Sequence, residues 1–393
     1  MKMKKKYIIL CVAALLSMAR GYCGVTLTVP EVSIAPGGTS FVTINFDLGA
    51  EAYTAYQLDI AYPEGISSIT DTNGEPVFIK GDVYTTDHNV SSVFTSAGLS
   101  RFQCFSINSL PFTEQSGTLL ILSIKAQNSM AEGTYQATIA PIEFVQTNAT
   151  PDRPDAVTFN IKVTKQFVLD EESTLPPGAA NGVQVQVKRT INANVWSTIC
   201  LPFAMSQQQV ATAFGTDVQL GDFNDYDFNE EAETINVKFK TATSIEANHP
   251  YIIKVSTPVT SFTAEGVDID PEDEPMINLG TKRKPHAMVG TYKANTTVPD
   301  GCLFLSGGKF WYSTGMNKMK GYRAWFNFDD LLPDYENMSD GTRISITYDG
   351  STVIDDVQRS TSNVKRYYDL QGRQRPNSEG RGMFISNGKK IVK

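Results

Sequence analysis

The residue types that most often do chemistry are few in this chain and far apart. Its three histidines are His88, His249 and His286, and none has a second ligand at the spacing of a metal-binding helix. No Gly-x-Ser-x-Gly turn presents a nucleophilic serine. The pair Gly307-Gly308 lacks the strand–loop–helix context of a phosphate loop, which favours a hairpin turn. We therefore predict no catalytic residues, no cofactor and no metal held by the histidines, and we expect the chain not to be an enzyme.

Paired carboxylates are the usual mark of a glycosidase, and this chain is rich in acidic residues. They cluster at 222–233 and 268–274, where neighbouring turn residues favour solvated loops. We therefore expect that no single carboxylate is catalytic, and a glycoside hydrolase is the least favoured function.

One acidic stretch has the spacing of a calcium loop. Asp225-x-Asp227-x-Asn229 repeats the first three ligand positions of an EF-hand. Glu230 stands where that loop needs glycine, and Asn236 stands where it needs a bidentate acid, so an EF-hand is excluded. A looser structural calcium site is the alternative that stays open beside solvated turns.

Aromatic residues offer the best candidates for binding. Tyr322, Ala324, Phe326 and Phe328 alternate along one strand face, which directs Trp325 to the other face. Phe310, Trp311 and Tyr312 are consecutive, so at least one ring faces outward. Exposed rings stack on the CH-rich faces of sugars, and Trp311 and Trp325 are the candidate ligand-stacking residues. The alternative is that these rings cover a second core or an interdomain contact.

The amino terminus has the features of a signal peptide at 1–24. A basic stretch, 1–6, precedes an apolar stretch, 7–19, that is too short to span a bilayer. Cleavage is expected after Gly21, with Gly24 as the second choice. Removing these residues leaves 29 basic against 42 acidic residues, a net charge of about −13. Such a balance disfavours nucleic acid and anionic lipid as partners, and no later segment is apolar enough to cross a membrane.

Cysteines are sparse and form no Cys-x-x-Cys pair. Cys23 follows Tyr22, whereas a lipoprotein signal needs a small residue at that position. Cys200 and Cys302 lie in apolar, strand-like stretches. Buried thiols are favoured, and a disulfide between these two is the alternative in an oxidising compartment.

Short stretches rich in Val, Ile, Thr, Phe and Tyr alternate with Gly, Pro, Asn and Asp turns, which predicts an all-β chain. Period-2 alternation at 40–48, 56–62 and 120–126 predicts strands with one buried and one solvated face, as in a sandwich. One helix is predicted at 206–214, with Ser206 as its N-cap and Gly215 ending it.

Residues 25–165 resemble the cohesin and carbohydrate-binding-module superfamily. The resemblance rests on the turn Pro36-Gly-Gly-Thr39, the alternating strand that ends at Tyr62, and the late strand that begins Gly117-Thr-Leu119. It implies a jelly-roll-like sandwich that binds a protein or a glycan, without indicating which residues bind it.

An acidic, Pro- and Gly-rich linker is predicted at 166–182, before a second domain at 183–349. That domain, with 187–203, 304–313 and 319–328, resembles a module that recurs in exported Bacteroidota proteins. The resemblance implies a second β-sandwich of accessory function.

A second linker at 350–366 precedes a tail at 367–393. The tail resembles the end of the type IX secretion sorting domain, and the matching residues, a candidate sorting motif, are Tyr368, Asp369, Leu370, Gly372 and Arg373. Its turn residues predict a small hairpin.

The sequence thus indicates two tandem β-sandwiches and a short hairpin tail. The function it favours is a non-catalytic secreted or cell-surface adhesion protein that binds a protein or a glycan through its cohesin-like domain. The alternative is a carbohydrate-binding accessory component of a glycan-utilisation system. No nucleic acid and no transmembrane segment are expected.

Overall fold

The computed structural model describes residues 24–231, 234–328, 331, 343–354, 357–359, 367–368, 374–375, 383–386 and 389–392. These residues form β-strands throughout and one short helix, so the all-β prediction is confirmed. The predicted signal peptide, apart from Gly24, lies outside the described residues.

The first region is a sandwich of two sheets. Its strands are β1 (Thr26–Thr28), β2 (Val32–Ile34), β3 (Thr39–Asp47), β4 (Tyr53–Ala61), β5 (Ile66–Ser68), β6 (Phe78–Lys80), β7 (His88–Phe94), β8 (Ser100–Ser106), β9 (Ser116–Ala126), β10 (Gly133–Gln146), β11 (Pro151–Asp152) and β12 (Val157–Val163). One sheet has the order β1-β3-β9-β5, with β6 also on β9. The other has the order β2-β12-β10-β4-β8-β7, with β11 on β10.

The core of this sandwich follows the predicted alternation. Val42, Ile44 and Phe46 of β3 are buried against side chains from the second sheet, which include Leu58 and Ile60 of β4. Because successive side chains of a strand point to opposite faces, the same pattern leaves the other face of each strand for solvent or for a partner.

The second region holds more strands and the helix. Its elements are β13 (Gln166–Asp170), β14 (Ala180–Ile191), β15 (Ser197–Ile199), α1 (Gln207–Phe214), β16 (Gln219–Asn229), β17 (Thr234–Ala242), β18 (Tyr251–Lys254), β19 (Val259–Ile269), β20 (Met276–Asn278), β21 (Ala287–Thr291), β22 (Thr296–Thr297), β23 (Leu303–Ser306), β24 (Lys309–Tyr312), β25 (Lys318–Met319), β26 (Arg323–Asn327), β27 (Arg343–Tyr348), β28 (Ser351–Ile354) and β29 (Val357–Arg359).

Three larger sheets build this region in layers. A sheet β13-β14-β19 packs on one face of a sheet β15-β18-β16-β17-β27-β28, and a sheet β20-β21-β26-β23-β24-β29 packs on its other face; β22 pairs separately with β25. Ile253 of β18 lies in the first core and Ile252 lies in the second. The middle strand is therefore buried on both faces, unlike the predicted pattern of one buried and one wet face.

The helix α1 is confirmed with its predicted ends. Ser206 is the N-cap in a capping box with Gln209, and Gly215 follows the last residue. Val210 and Phe214 are its buried residues and pack into the core beside β19.

The predicted linker at 166–182 contains ordered structure. Gln166–Asp170 form β13, which pairs in parallel with β14. Further along, Ala179 and Thr39 exchange hydrogen bonds of 2.8 and 2.9 Å, which tie the segment to the first sandwich. Polar composition alone did not reveal these backbone partners.

The tail contributes β30 (Tyr367–Tyr368), β31 (Gln374–Arg375), β32 (Met383–Ser386) and β33 (Lys389–Val392). They form an antiparallel sheet in the order β31-β30-β32-β33, in which Tyr368 pairs with Ile385. The tail strands pair with one another as the sequence predicts.

Candidate functional site

An exposed apolar patch lies at the end of β8 in the first sandwich, formed by Phe105 of β8 and by Ile107 and Leu110 of the loop that follows. Phe105 alternates with the buried Cys104 at the end of β8, so its ring points away from the core. Ile107 is 73% exposed, Phe105 47% and Leu110 44%. Three large apolar side chains that are exposed within six residues of sequence mark a candidate binding surface.

The loop that carries this patch is held in one conformation by Asp87. Its carboxylate accepts hydrogen bonds from the Ser106 hydroxyl, from the Asn108 backbone N–H at 3.0 Å and from the Asn108 side chain at 2.5 Å. The Ser106 Oγ in turn accepts the backbone N–H of Leu110 at 2.7 Å. Hydrogen bonds from Ser106 and Asn108 lower the pKa of Asp87. The apolar side chains are thus presented by a pre-formed loop.

An arginine–carboxylate pair lies on the outward face of β4 and β8, four residues before Phe105 along β8. Arg101 of β8 binds Asp59 of β4 through two parallel hydrogen bonds, Nε to Oδ1 at 2.6 Å and Nη2 to Oδ2 at 2.7 Å. Asp59 is buried beneath Arg101, and its hydrogen bonds and negative charge raise the pKa of the Arg101 guanidinium. One positive charge meets one negative charge, so the pair is balanced.

The structure brings the predicted stacking residues together in what we call the aromatic row: Trp311, Phe304 and Trp325. Phe304 of β23 is directly opposite Trp311 of β24 on one side and Trp325 of β26 on the other. Neighbouring strands lie about 4.8 Å apart, so the row spans about 10 Å on one face of the sheet. Gly307 and Gly308, both with positive φ, form the tight turn between β23 and β24, as predicted.

The two tryptophans of the aromatic row are both half-buried, but their surroundings differ. The Trp311 indole N–H donates to the Ser306 carbonyl at 2.9 Å, which fixes the ring against the turn. Trp325 packs on a small apolar cluster that contains Val298, Cys302 and Met319. Trp325 therefore covers a small core and also belongs to the aromatic row. The sequence had left these two roles, core cover and candidate stacking ring, as alternatives.

A buried arginine lies near the aromatic row. Arg189 of β14 occupies an inward position in the alternation Val185, Val187, Arg189, Ile191, and its side chain is fully buried. Its guanidinium donates to the carbonyls of Thr190 and Thr198. Burial, together with the charge of Arg323, lowers the pKa of Arg189 well below its ordinary value.

The carboxylate of Glu171 forms ion pairs with three cations, one of which is Arg189. Glu171 Oε2 lies 2.6 Å from Arg323 Nη2 and 3.9 Å from Arg189 Nη1, and Oε1 lies 3.6 Å from Lys320 Nζ. Lys320 also contacts Glu172. These three cations and two carboxylates leave one surplus positive charge. We call the five residues the charged cluster.

A cavity of about 290 Å³ opens on the charged cluster, and we call it the charged cavity. Its wall includes Glu171, Lys320, Arg323, Trp196, Ser197 and Ser306. Ser306 is the residue whose carbonyl accepts the Trp311 indole N–H, and Arg323 is two residues before Trp325 on β26. The charged cavity therefore adjoins the aromatic row.

The three histidines are far apart in the structure too, and each has a partner. His88 is buried and stacks on Phe112 at 4.8 Å between ring centroids. His249 Nε2 lies 2.8 Å from Asp222, and His286 Nδ1 lies 2.5 Å from the Tyr226 hydroxyl. Within the described part of the chain, no group of three His, Cys, Asp or Glu side chains is arranged to hold a metal.

The candidate calcium residues lie in a strand and not in a loop, which corrects that prediction of local structure. Asp225, Asp227 and Asn229 belong to β16. Lys238 of the paired strand β17 places its Nζ 3.1 Å from Asp225 and 2.7 Å from Asp227. These two carboxylates thus share one lysine.

Cys104, Cys200 and Cys302 are buried and are not joined in disulfides. Cys200 and Cys302 belong to different apolar clusters, in agreement with the buried-thiol alternative. Of the candidate sorting residues, Tyr368 lies in β30, whereas Asp369, Leu370, Gly372 and Arg373 lie outside the described residues.

No helix in the described ranges has the length and apolar character needed to cross a membrane.

Among solved structures, cohesin modules align with part of this chain. No family model and no curated protein sequence matches the chain. The cohesin module of a family 33 glycoside hydrolase from Clostridium perfringens aligns at 10% identity over 36% of this chain and 96% of that module, with a TM-score of 0.29. A cohesin from Clostridium acetobutylicum aligns at 19% identity over 36% and 91%, with a TM-score of 0.29. A structure of a type I cohesin–dockerin complex from Clostridium thermocellum aligns at 9% identity over 36% and 99%, with a TM-score of 0.30.

Sequence reasoning missed the charged cluster, although one pattern pointed to it. Arg189 continues an alternating row of valines, and an arginine at a core position needs a buried counter-charge. Nothing in the sequence identified Glu171, which lies in the predicted linker, as that counter-charge. Asp87 was missed because its partners, at 106 and 108, lie across a hairpin.

Proposed function

We propose that this chain is a non-catalytic binding protein of the cell exterior, whose first sandwich docks a protein partner on the outward face of β4, β8 and β7. The observation that carries this proposal is the apolar patch of Phe105, Ile107 and Leu110 on a loop fixed by Asp87. A pre-formed loop loses little conformational entropy when a partner binds. Apolar side chains that are ordered before binding are typical of an interface core.

The balanced Asp59–Arg101 pair fits a protein interface as well. It gives the same strand a fixed, neutral hydrogen-bonding surface, because each charge is already matched by the other. Interfaces commonly join an apolar centre to a polar surround of this kind. The sequence resemblance to cohesins implies the same class of function.

Capture of a partner from the surface proteome of the source organism tests this function. The variant Phe105→Ser/Ile107→Ser/Leu110→Ser is expected to lose the partner, with affinity at least about 100-fold lower, because burying each large apolar side chain contributes about 1.5–3 kcal/mol. Ile79→Ser is the matched control, since Ile79 is 50% exposed on the opposite sheet. Equal capture by the wild type and the triple variant, with unchanged thermal unfolding, would contradict the proposal.

The aromatic row favours a second candidate function, the binding of a glycan. Trp311, Phe304 and Trp325 lie side by side on one sheet face, which is the arrangement that a flat sugar chain needs for stacking. On a sugar array, Trp311→Ala is expected to abolish binding, whereas Phe228→Ala, an exposed aromatic on β16, leaves it unchanged. Array binding that survives Trp311→Ala would remove this candidate.

Export is proposed to depend on the two ends of the chain, 1–24 as a signal peptide and 367–393 as an address. Deleting 367–393 is expected to leave both sandwiches folded and to change where the protein accumulates. Immunoblots of cell and medium fractions measure this. Normal amounts of the truncated protein outside the cell would show that the tail has only a structural role.

A further inference from the structure

The charged cluster, of which Glu171, Lys320 and Arg323 line the cavity, holds more positive charge than its own carboxylates neutralise. Arg189 and Arg323 both approach the same oxygen of Glu171, and Lys320 approaches the other oxygen. Glu172 offsets part of the charge of Lys320. Two guanidiniums that share one carboxylate oxygen repel each other, and this repulsion is strong where water is excluded.

Two nitrogen atoms of this cluster also lack partners. Among the described residues, the buried Nε atoms of Arg189 and Arg323 have no hydrogen-bond acceptor. A buried donor without an acceptor is unfavourable. Of these two arginines, Arg323 lines the charged cavity, so an anion there would offset the surplus charge of the cluster.

The charge surplus also decides what kind of anion fits. A single surplus positive charge matches a monoanion, and the Glu171 carboxylate in the cavity wall repels a dianion such as phosphate. Thr190, Asn192 and Ser197 line the same cavity and offer hydroxyl and amide groups. Such groups bind the hydroxyls that flank a sugar carboxylate.

We propose that the charged cavity binds the carboxylate of an acidic sugar, while the neighbouring rings of the same glycan stack on the aromatic row. The sugar part rests on the glycan-binding function proposed above, and the carboxylate part rests on the charged cavity itself. Ser306 links the two, because it lines the cavity and its carbonyl accepts the Trp311 indole N–H.

The chain's three tryptophans allow the two parts to be observed separately. Trp196 lines the charged cavity, whereas Trp311 and Trp325 belong to the aromatic row. The full-length mature chain labelled with 15N-tryptophan gives three indole N–H resonances, which Trp311→Phe and Trp325→Phe assign. The ligands are a uronic acid trisaccharide, the neutral hexose trisaccharide of the same linkage, acetate and inorganic phosphate.

The acidic trisaccharide is expected to bind at least about tenfold more tightly than the neutral one, since a charge-assisted hydrogen bond is worth about 1.5–3 kcal/mol. It should shift all three resonances, whereas the neutral trisaccharide shifts only those of Trp311 and Trp325. Lys320→Gln should weaken binding of the acidic trisaccharide about tenfold, and Lys320→Arg should restore it. Lys318→Gln, two residues earlier in β25 and also exposed, should change nothing.

Equal affinity for the two trisaccharides, with the Trp196 resonance unmoved, overturns the carboxylate assignment and leaves glycan binding intact. Phosphate that binds more tightly than the acidic trisaccharide overturns it as well. If acetate shifts Trp196 while neither trisaccharide shifts Trp311 or Trp325, the anion site is supported and the glycan function fails. If Lys320→Gln unfolds at the same temperature as the wild type, its effect is on binding and not on stability.

Discussion

Two arginine–carboxylate sites in this molecule show how charge balance separates a structural pair from a candidate site. Arg101 and Asp59 in the first sandwich match one charge to one charge through two short hydrogen bonds. In the second region, Arg189 and Arg323 share Glu171 with Lys320, and the cluster keeps surplus positive charge beside a cavity.

The two sites also differ in how their charges are exposed. The Arg101 side chain is 32% exposed and can reach water, whereas the Arg189 side chain is fully buried. Loss of the partner carboxylate thus leaves a hydrated cation in the first case and a stranded buried charge in the second. Stability measurements should therefore separate the two sites clearly.

The largest effect is expected from Glu171→Gln. This change removes the carboxylate that two buried or half-buried guanidiniums share, and breaking a buried ion pair from one side costs about 3–5 kcal/mol. Urea unfolding followed by circular dichroism measures it. The matched control is Glu172→Gln, an exposed partner of Lys320, with an expected loss below about 1 kcal/mol. Equal losses for the two variants would mean that the buried Glu171 carboxylate stabilises the fold no more than the exposed Glu172 carboxylate does.

A smaller loss is expected from Asp59→Asn. The amide keeps one acceptor for Arg101 but loses the charge-assisted bidentate geometry, and because Arg101 is partly solvated we expect about 1–2 kcal/mol. Glu143→Gln breaks the exposed pair with Arg153 and serves as control, with an expected loss below about 0.5 kcal/mol. If Asp59→Asn costs as much as Glu171→Gln, the comparison between balanced and unbalanced sites fails.

A pH effect should be confined to the first sandwich. Burial lowers the pKa of His88, with Asp87 opposing and Lys80 reinforcing the shift. Protonation of His88 is therefore less favourable in the folded state than in the unfolded chain. The stability that depends on His88 is constant above the histidine pKa of the unfolded chain, about 6.5, and falls as the pH drops below that value. Thermal unfolding between pH 7.5 and 5 measures this fall. His88→Gln is expected to flatten the profile, and Ile79→Ser, which removes no titratable group, is the control and should leave it in place. An unchanged profile in His88→Gln would assign the fall to other groups.

The smallest effect is expected in limited proteolysis at 172–178. Ala179 is tied to Thr39 and Glu171 is buried, so the wild-type chain should be cut there only slowly. The cut should become faster in Glu171→Gln, because the anchor of the segment is lost, and should stay slow in Asp59→Asn. Rapid cutting of the wild type into two stable fragments would contradict this expectation and support the predicted linker at 166–182.

Much of the fold followed from local sequence. The strand alternation at 40–48, the capped helix at 206–214 and the Gly307-Gly308 turn were predicted because each depends on neighbours within a few residues. The burial of β18 on both faces was not predicted. Its four residues show no alternation, and only the layers on either side decide which faces are covered.

The candidate sites divide in the same way. Sequence alone selected Trp311 and Trp325, because strand alternation turned them away from the core, and it set the all-β architecture. Tertiary structure decided that Phe304 joins them into one row, that Glu171 of the predicted linker lies beside Arg189 and Arg323, and that Asp87 fixes a loop some twenty residues further on. The periodicity of a strand or helix depends on residues that are close together in the sequence. The pairing of charges 18 and 152 residues apart depends on sheet register, which no local pattern specifies.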